Sequence, residues 1–197
     1  MANDVVFNFG NESSSIKREE AVRLMDIYSK GYANADFDSI DTFISRVFSN
    51  SPDAYIVGTS AEEFAKGRSA ITAQVKSDWE NWGDLSLDVQ SGIYSYQDTV
   101  CWFSIDGTVS MEIDLDACID QLGQTAKETL KNDQPDRQAC LSLAREMVDT
   151  VCEVAMGKNF IWPIRLTGVM AWEDTNFKIV QLHFSFPTSK FPDERIK

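Results

Sequence analysis

The sequence of 197 residues is poor in the groups that bind metals, with a single histidine, His183, and four cysteines. One imidazole per chain excludes a histidine-rich metal centre within one chain. The cysteines form no C-x-x-C pair and have no neighbouring histidine, so we expect reduced, mostly buried thiols. Neither a metal nor any other cofactor is therefore predicted.

Basic residues are also scarce. Lysine and arginine total 18 against 31 aspartate and glutamate residues, which gives a net charge of −13, and no stripe of basic residues is present. Such a charge balance disfavours a surface that follows phosphates, and it would be repelled by an anionic membrane. Neither nucleic acid nor a membrane is expected as a partner.

Long apolar runs and several catalytic motifs are missing as well. The first ten residues lack a basic segment followed by an apolar one, so we expect no signal peptide, no membrane span and a cytoplasmic location. The sequence contains no phosphate-binding glycine-rich loop, no dinucleotide fingerprint and no G-x-S-x-G elbow.

What the chain does contain is enough apolar material for one substantial core. Hydrophobic residues make up 43% of the sequence and include 12 phenylalanines and five tryptophans. A chain of this length suits one domain. We predict a flexible N-terminal arm over residues 1–15, a single domain over 16–190 and a C-terminal tail over 191–197.

The spacing of apolar residues predicts the order of the elements. A period of three to four residues predicts two amphipathic helices between residues 16 and 48, which must bury their apolar stripes against a sheet or each other. A short strand over 54–58 and helical segments up to Trp82 follow. Alternation of period two then predicts two long antiparallel strands, over 85–96 and 100–113.

Residues 114–159 interrupt the strand pattern. Apolar residues repeat there every four positions, the segment from Asn132 to Asp136 breaks the repeat, and Gly157 provides a C-cap. We predict a helical hairpin inserted between two strands, because strand patterning resumes directly after it.

The closing segment, residues 160–186, is predicted to be a β-hairpin. A two-residue turn at Asp174-Thr175 places Trp172 opposite Phe177. Both faces are then substantially apolar, unlike a sheet with one wet face. We expect helices to cover one face and a second copy of the chain to cover the other. The further pairs that this register predicts are His183 with Leu166, Gln181 with Gly168, and Ile179 with Met170.

Two segments resemble SnoaL-like domains of the nuclear-transport-factor-2-like (NTF2-like) superfamily. The segment from Asp53 to Ile71 (DAYIVGTSAEEFAKGRSAI) is similar to the early strand, loop and helix of these domains. The segment from Arg165 to Pro187 is similar to their closing hairpin, which often ends in a His-x-Ser-x-Pro-like tail. The likeness covers about 16–113 and 160–187.

The resemblance implies an α+β fold, in which a strongly curved antiparallel sheet wraps around N-terminal helices to form a cone. The open end of the cone would be a pocket, and dimers through the sheet are common. Residues 114–159 depart from the pattern, since ordinary members have a short connection there, and would form a lid or extend the dimer contact. Members include isomerases, dehydratases, polyketide cyclases and non-catalytic association or ligand-binding modules.

His183 is the sharpest candidate for chemistry, as a general acid or base at the pocket wall. The alternative is a buried histidine that hydrogen-bonds to the backbone or to Ser185. A carboxylate or hydroxyl that orients His183 could come from Asp106, Tyr28, Tyr32 or Tyr55.

Aromatic and amide side chains are the candidates for binding a flat apolar ligand, with phenol and indole groups as polar handles. The alternative is that the tryptophans belong to the core or an interface. Arg165 would bind a carboxylate or pair across a dimer face. The predicted ligand-binding residues are Tyr28, Tyr32, Tyr55, Trp79, Trp102, Trp172 and Gln181.

Three functions remain open on this reasoning. The first is a dimeric SnoaL-like protein that binds a small, largely apolar molecule in the cone pocket. The second is a cofactor-independent isomerase, cyclase or dehydratase that uses His183 with Asp106 or a phenol as its partner. The third is a non-catalytic association module.

Overall fold

The computed structural model describes residues 13–59, 63–112, 114–131, 136–156 and 159–186. Helix α1 begins at Ser13, inside the predicted arm; residues 1–12 and the predicted tail lie outside the described residues. The α-helices are α1 Ser13–Asn34, α2 Ile40–Val47, α3 Arg68–Asn81, α4 Leu115–Thr129 and α5 Arg137–Met156. The strands are β1 Tyr55–Val57, β2 Phe64–Lys66, β3 Asp84–Leu87, β4 Ile93–Gln97, β5 Val100–Glu112, β6 Asn159–Glu173 and β7 Asn176–Ser185.

The chain divides into two compact units. The first, Met1–Val109 with Trp162–Lys197, is named the core unit, and the second, Ser110–Ile161, is named the helical unit. The helical unit contains α4 and α5, where the sequence predicts a helical hairpin. The assignment of residues 16–190 to one domain stays a prediction. No helix of the described residues is both long and apolar enough to cross a membrane.

Helix α1 presents one apolar face to the core, as its periodicity predicts. Its buried residues include Ala21, Met25, Tyr28 and Tyr32, which recur at three- and four-residue intervals. At Gly31 the ring of Phe43 packs directly on the helix backbone, and a Cβ at this position would collide with that ring. Glycine therefore allows α1 and α2 to approach closely.

The strands of the core unit belong to one curved, mixed sheet with the order β2-β1-β7-β6-β5-β3, and β4 also pairs with β5. The pairs β1–β2, β4–β5 and β6–β7 are antiparallel, whereas β1 and β7 are parallel. The expected antiparallel sheet therefore includes a parallel pair, β1–β7, that the sequence did not predict. Parallel strands require a long connection between them, and the chain from β1 to β7 provides it.

The strand predicted over 85–96 is wrong. Residues 88–92 form a turn between β3 and β4, in which the backbone N–H of Ser91 donates to Asp88 Oδ1 at 3.3 Å. The N–H of Gly92 donates to the carbonyl of Val89 at 3.4 Å. The local hydrogen bonds of the aspartate and the glycine therefore outweigh the period-two alternation that runs through them.

The β6–β7 hairpin confirms the predicted turn, with Trp172 opposite Phe177 and Met170 opposite Ile179. A register shift follows, because Val180 is an extra residue in β7 and makes a β-bulge. The two pairs predicted beyond it are therefore wrong. Beyond the bulge, His183 faces Thr167, Gln181 faces Val169, Leu182 faces Gly168 and Phe184 faces Leu166.

The bulge decides which residues of β7 face the core. Ile179, Leu182 and Phe184 are buried and belong to one apolar cluster with residues of α1, α2 and α3. Gly168 lies beneath the Phe103 ring, and a Cβ there would lie 2.7 Å from Phe103 Cζ. We call this side of the sheet the core face and the opposite side, which carries His183, the outer face.

Candidate functional site

The most unusual side chain of the core unit is a carboxylic acid on the buried face of α3. Ile71, Val75 and Asp78 occupy positions i, i+4 and i+7, and all three are buried. Asp78 is only 7% exposed. A carboxylate at such a position requires hydrogen bonds to compensate its loss of water.

Two donors supply these hydrogen bonds. The Tyr32 hydroxyl donates to Asp78 Oδ2 at 2.7 Å, and Gln74 Nε2 donates to Oδ1 at 2.8 Å. Gln74 lies one turn before Asp78 on the same helix, whereas Tyr32 comes from α1. Each carboxyl oxygen therefore has one partner, and the carboxyl plane is fixed from two directions.

Burial raises the pKa of Asp78, and the nearby charge of Glu63 raises it further. The hydrogen bonds from Tyr32 and Gln74 act in the opposite direction but do not cancel the effect of burial on the pKa. Asp78 is therefore a buried acid whose proton is held more tightly than that of an exposed aspartate. Groups with this property are candidates for proton transfer.

Tyr32, which donates to Asp78, belongs to a group of packed aromatic rings. The ring centroids of Tyr28 and Tyr32 are 4.7 Å apart, those of Tyr32 and Trp79 are 6.2 Å apart, and those of Phe43 and Trp79 are 5.2 Å apart. These separations are typical of favourable aromatic pairs. We call this group of side chains the Asp78 cluster. Its members are Tyr28, Tyr32, Phe43, Gln74, Asp78 and Trp79.

The Asp78 cluster reaches the surface beside the connection between α1 and α2. Phe37, which is 41% exposed, packs edge-on against Trp79 with ring centroids 5.8 Å apart. Phe37 belongs to a short 3₁₀ helix, Phe37–Ser39, that contains no buried residue. Phe37 is therefore an exposed aromatic residue in direct contact with the cluster.

Two polar atoms of the Asp78 cluster are buried without a hydrogen-bond partner. They are the Tyr28 hydroxyl and Trp79 Nε1; Tyr96, on β4, has a third such atom among the described side chains. A buried donor left unsatisfied costs about 1–3 kcal/mol, and native proteins contain few of them. Two such atoms lie in one cluster beside a buried acid, which makes the cluster a candidate site.

Both phenols of the Asp78 cluster keep their protons over the whole ordinary pH range. Burial raises the pKa of Tyr28 and of Tyr32 well above 10. A side-chain hydrogen bond between the Tyr28 and Tyr32 hydroxyls acts on the pKa of both groups, but its geometry is not that of a regular hydrogen bond. Tyr28 is thus a neutral donor, and Tyr32 has committed its proton to Asp78.

His183 lies elsewhere, on the outer face of the sheet. It is half-buried between Val57 on β1 and Thr167 on β6. The rings of the Asp78 cluster pack with the core face instead, where Tyr28 and Phe43 belong to the buried apolar cluster. The structure therefore separates the predicted acid–base histidine from the three aromatic residues Tyr28, Tyr32 and Trp79, which it brings together.

The remaining predicted site residues are divided between the faces. Asp106 lies on the outer face, where its carboxylate forms an ion pair with Arg165 of the same chain at 3.0 Å.

Tyr55 also lies on the outer face, next to Gln181, and packs on Phe64 with ring centroids 5.6 Å apart. Trp102 on the outer face is 41% exposed. Trp172 packs edge-on against the buried Phe177 at 5.0 Å.

Sequence reasoning missed Asp78 and Gln74. The signal was present, because Asp78 continues the apolar stripe of Ile71 and Val75 at helical spacing. An acid in such a stripe is either buried with partners or marks the end of the buried face. Among the described residues, no group of three or more His, Cys, Asp or Glu side chains is placed to hold a metal ion.

The comparisons with known proteins concern the fold. No protein-family model matches the sequence, and no curated protein matches it. Solved structures do match. An NTF2-like superfamily protein from Salmonella enterica serovar Typhimurium is 15% identical with a TM-score of 0.59, and the match covers 92% of this chain and 99% of that one.

Two further structures match in the same way. A candidate dehydratase of the NTF2-like family from Streptomyces avermitilis is 10% identical, with a TM-score of 0.57 over 89% of this chain and 99% of that one. An uncharacterised protein with a cystatin-like fold from Caulobacter vibrioides is 8% identical, with a TM-score of 0.54 over 89% of this chain and 92% of that one. The chain therefore has the α+β, NTF2-like fold, and the resemblance drawn from its sequence is confirmed at the level of the fold.

Proposed function

We propose that the core unit binds a small, largely apolar molecule at the Asp78 cluster. The observation that carries the proposal is the pair of unpartnered donors, Tyr28 and Trp79, within a group of aromatic rings. Binding sites for small molecules combine apolar walls with a few convergent polar groups. The Asp78 cluster has this composition, and Phe37 connects it to the surface.

An uncharged flat fluorophore that carries a ketone, 6-propionyl-2-(dimethylamino)naphthalene, tests the proposal, because its emission rises and moves to shorter wavelength in apolar surroundings. We expect saturable binding to the wild-type chain. Trp79→Leu removes an aromatic wall and is expected to weaken the dissociation constant at least tenfold. Trp102→Leu, the same substitution on the outer face, serves as the matched control and is expected to change it less than twofold.

Circular dichroism shows whether each variant is folded, and Trp79→Phe offers a milder change should Trp79→Leu lose its fold. The proposal is overturned if the fluorophore does not bind the wild-type chain, or if Trp102→Leu weakens binding while both changes at Trp79 leave it intact. The second result would place the site on the outer face.

Acid–base catalysis at the same cluster is a second candidate function. The buried Asp78, with its raised pKa and its hydrogen bond from Tyr32, is the specific observation that favours it. One structure of the same fold belongs to a candidate dehydratase. The step proposed is enolisation of a ketone. The Asp78 carboxylate takes the proton α to the carbonyl, the electron pair of the broken C–H bond forms a C=C bond, and the π pair of the carbonyl moves to its oxygen, which Tyr28 stabilises by donating a hydrogen bond; return of a proton from Asp78 to the α carbon completes the exchange.

Exchange of the α protons of 2-tetralone in D₂O, followed by NMR, tests this candidate. We expect the wild-type chain to accelerate exchange, Asp78→Asn to remove the acceleration, and His183→Ala to retain it. Loss of the acceleration in His183→Ala alone would support the histidine mechanism expected from the sequence. Absence of acceleration in the wild type would contradict catalysis at either residue.

For the outer face we propose contact with a second copy of the chain, as the apolar pattern of the hairpin predicts. Ile93, Phe64 and Trp102 remain exposed there beside the half-buried Tyr55 and His183. Sedimentation should show a dimer at micromolar concentration and a monomer for Trp102→Glu. A strictly monomeric wild type would contradict dimerisation and, with it, the alternative of an association module.

A further inference from the structure

We infer that the ligand of the Asp78 cluster presents an uncharged hydrogen-bond acceptor, such as a ketone or ester carbonyl, to Trp79 and Tyr28. The inference rests on the proposed function and specifies the polar handle of the molecule. It follows from the hydrogen-bond donors that remain available among the described side chains of the cluster.

Trp79 sets the first constraint. Its indole Nε1–H is a donor and has no acceptor capacity. This atom is buried and has no partner, so a ligand that satisfies it must present an acceptor. An apolar molecule without such an atom would leave the desolvation cost of the N–H uncompensated.

Tyr28 sets the second constraint. Its side chain is fully buried, its hydroxyl has no partner, and burial keeps it protonated. The neighbouring Tyr32 donates to Asp78, and Gln74 occupies the other carboxyl oxygen. The contact of the Tyr28 hydroxyl with the Tyr32 hydroxyl is not a regular hydrogen bond, so the Tyr28 proton is a second donor that a ligand acceptor can satisfy.

Charge sets the third constraint. The Asp78 cluster contains no basic side chain, and the charge of Glu63 acts on Asp78. An anionic acceptor such as a carboxylate would be buried beside an acid without a counter-charge, in a chain of net charge −13. A cationic amine would suit Asp78, but an ammonium group has no acceptor for Trp79 or Tyr28.

Four probes with one ring system separate these possibilities. They are naphthalene, 2-acetylnaphthalene, 2-naphthoate and 2-naphthylmethylammonium, and their dissociation constants are measured by quenching of tryptophan fluorescence at pH 7. We expect 2-acetylnaphthalene to bind at least tenfold more tightly than each of the other three. Tyr28→Phe and Trp79→Phe keep the rings, and each should reduce this advantage severalfold.

Tyr55→Phe on the outer face is the matched control and should leave the advantage unchanged. Equal binding of naphthalene and 2-acetylnaphthalene would overturn the inference while supporting the proposed function. Tighter binding of 2-naphthoate or of the ammonium probe would also overturn it. Failure of all four probes to bind would instead contradict the proposed function itself.

Discussion

The hydroxyl of Tyr28 lowers the stability of the free chain, but it is also a group that the proposed ligand would contact. Its hydroxyl is buried without a partner, so the folded chain loses the hydration of this group and gains no hydrogen bond in return. Unsatisfied groups of this kind are tolerated where a function requires them. The same atom is the donor that the proposed ligand would satisfy.

Replacing Tyr28 by phenylalanine should therefore stabilise the free chain. We expect the free energy of unfolding to rise by about 1 kcal/mol, because the ring remains and the unsatisfied hydroxyl is removed. Denaturant unfolding of Tyr28→Phe and wild type measures the difference. Tyr32→Phe is the matched control and should lower stability, since Asp78 then loses the donor to Oδ2. A destabilised Tyr28→Phe would show that its hydroxyl has a partner in the folded chain.

Asp78 gives the pH dependence of stability a defined sign. Its pKa in the folded chain is raised above the ordinary value of 3.8, so above pH 3.8 the unfolded chain loses this proton first. The contribution of Asp78 to the free energy of unfolding is thus greatest at low pH. It falls as the pH rises from 3.8 through the raised pKa of the folded chain. We expect the stability of Asp78→Asn relative to wild type to increase over that range, as measured by denaturant unfolding at a series of pH values.

Asp53 provides a control of opposite sign, because its hydrogen bond with Lys66 lowers its pKa. Asp53→Asn should be slightly less stable than wild type at neutral pH, and this difference should disappear as the pH falls below 3.8. If the difference between Asp78→Asn and wild type does not vary with pH, Asp78 has an ordinary pKa and loses its status as a buried acid.

At the scale of the elements, the end of α1 carries a strained residue. Ala35 has a φ of +44° and donates its N–H to the carbonyl of Gly31 at 2.9 Å. This is the left-handed helix stop that glycine normally makes. Ala35→Gly should raise the free energy of unfolding by about 1 kcal/mol, since an L side chain pays roughly that amount in this conformation. Calorimetry should show a higher melting temperature, and an unchanged or lower one would contradict the strain.

Local chemistry made some elements predictable and not others. The stripe of α1 and the turn at Asp174 follow from residues adjacent in sequence, and Asp174 has the positive φ, +53°, that such a turn requires. The bulge at Val180 has no comparable local signal, because alternation of apolar residues continues across it. Packing against the rest of the sheet decides such a register.

The bulge at Val180 also limits how far the positions of the candidate site residues can be predicted from the sequence. The predicted register pairs His183 with Leu166, whereas the extra position in β7 places it opposite Thr167 on the outer face. Helical spacing predicts that Tyr28, Tyr32 and Trp79 lie on apolar helix faces, and the structure packs their rings together. Asp78 was missed because its partner Tyr32 lies 46 residues away, a separation that periodicity does not bridge.

At the scale of the whole molecule, the core unit has a buried apolar cluster of its own. The described members of this cluster lie within Met1–Val109 and Trp162–Lys197. Replacing residues 114–159 by a short turn should therefore leave a folded protein with the circular dichroism of the core unit and a cooperative melting transition. An insoluble product, or one that melts without cooperativity, would show that the helical unit is needed to complete the core.

The Asp78 cluster, and not the outer face, is the proposed binding site. The most direct test is a titration of the ¹⁵N-labelled wild-type chain with 2-acetylnaphthalene, followed through its indole N–H signals. The Trp79 signal should shift saturably and downfield as its N–H gains an acceptor, while that of Trp102 stays in place. A saturable shift of Trp102 with an unmoved Trp79 would contradict the account.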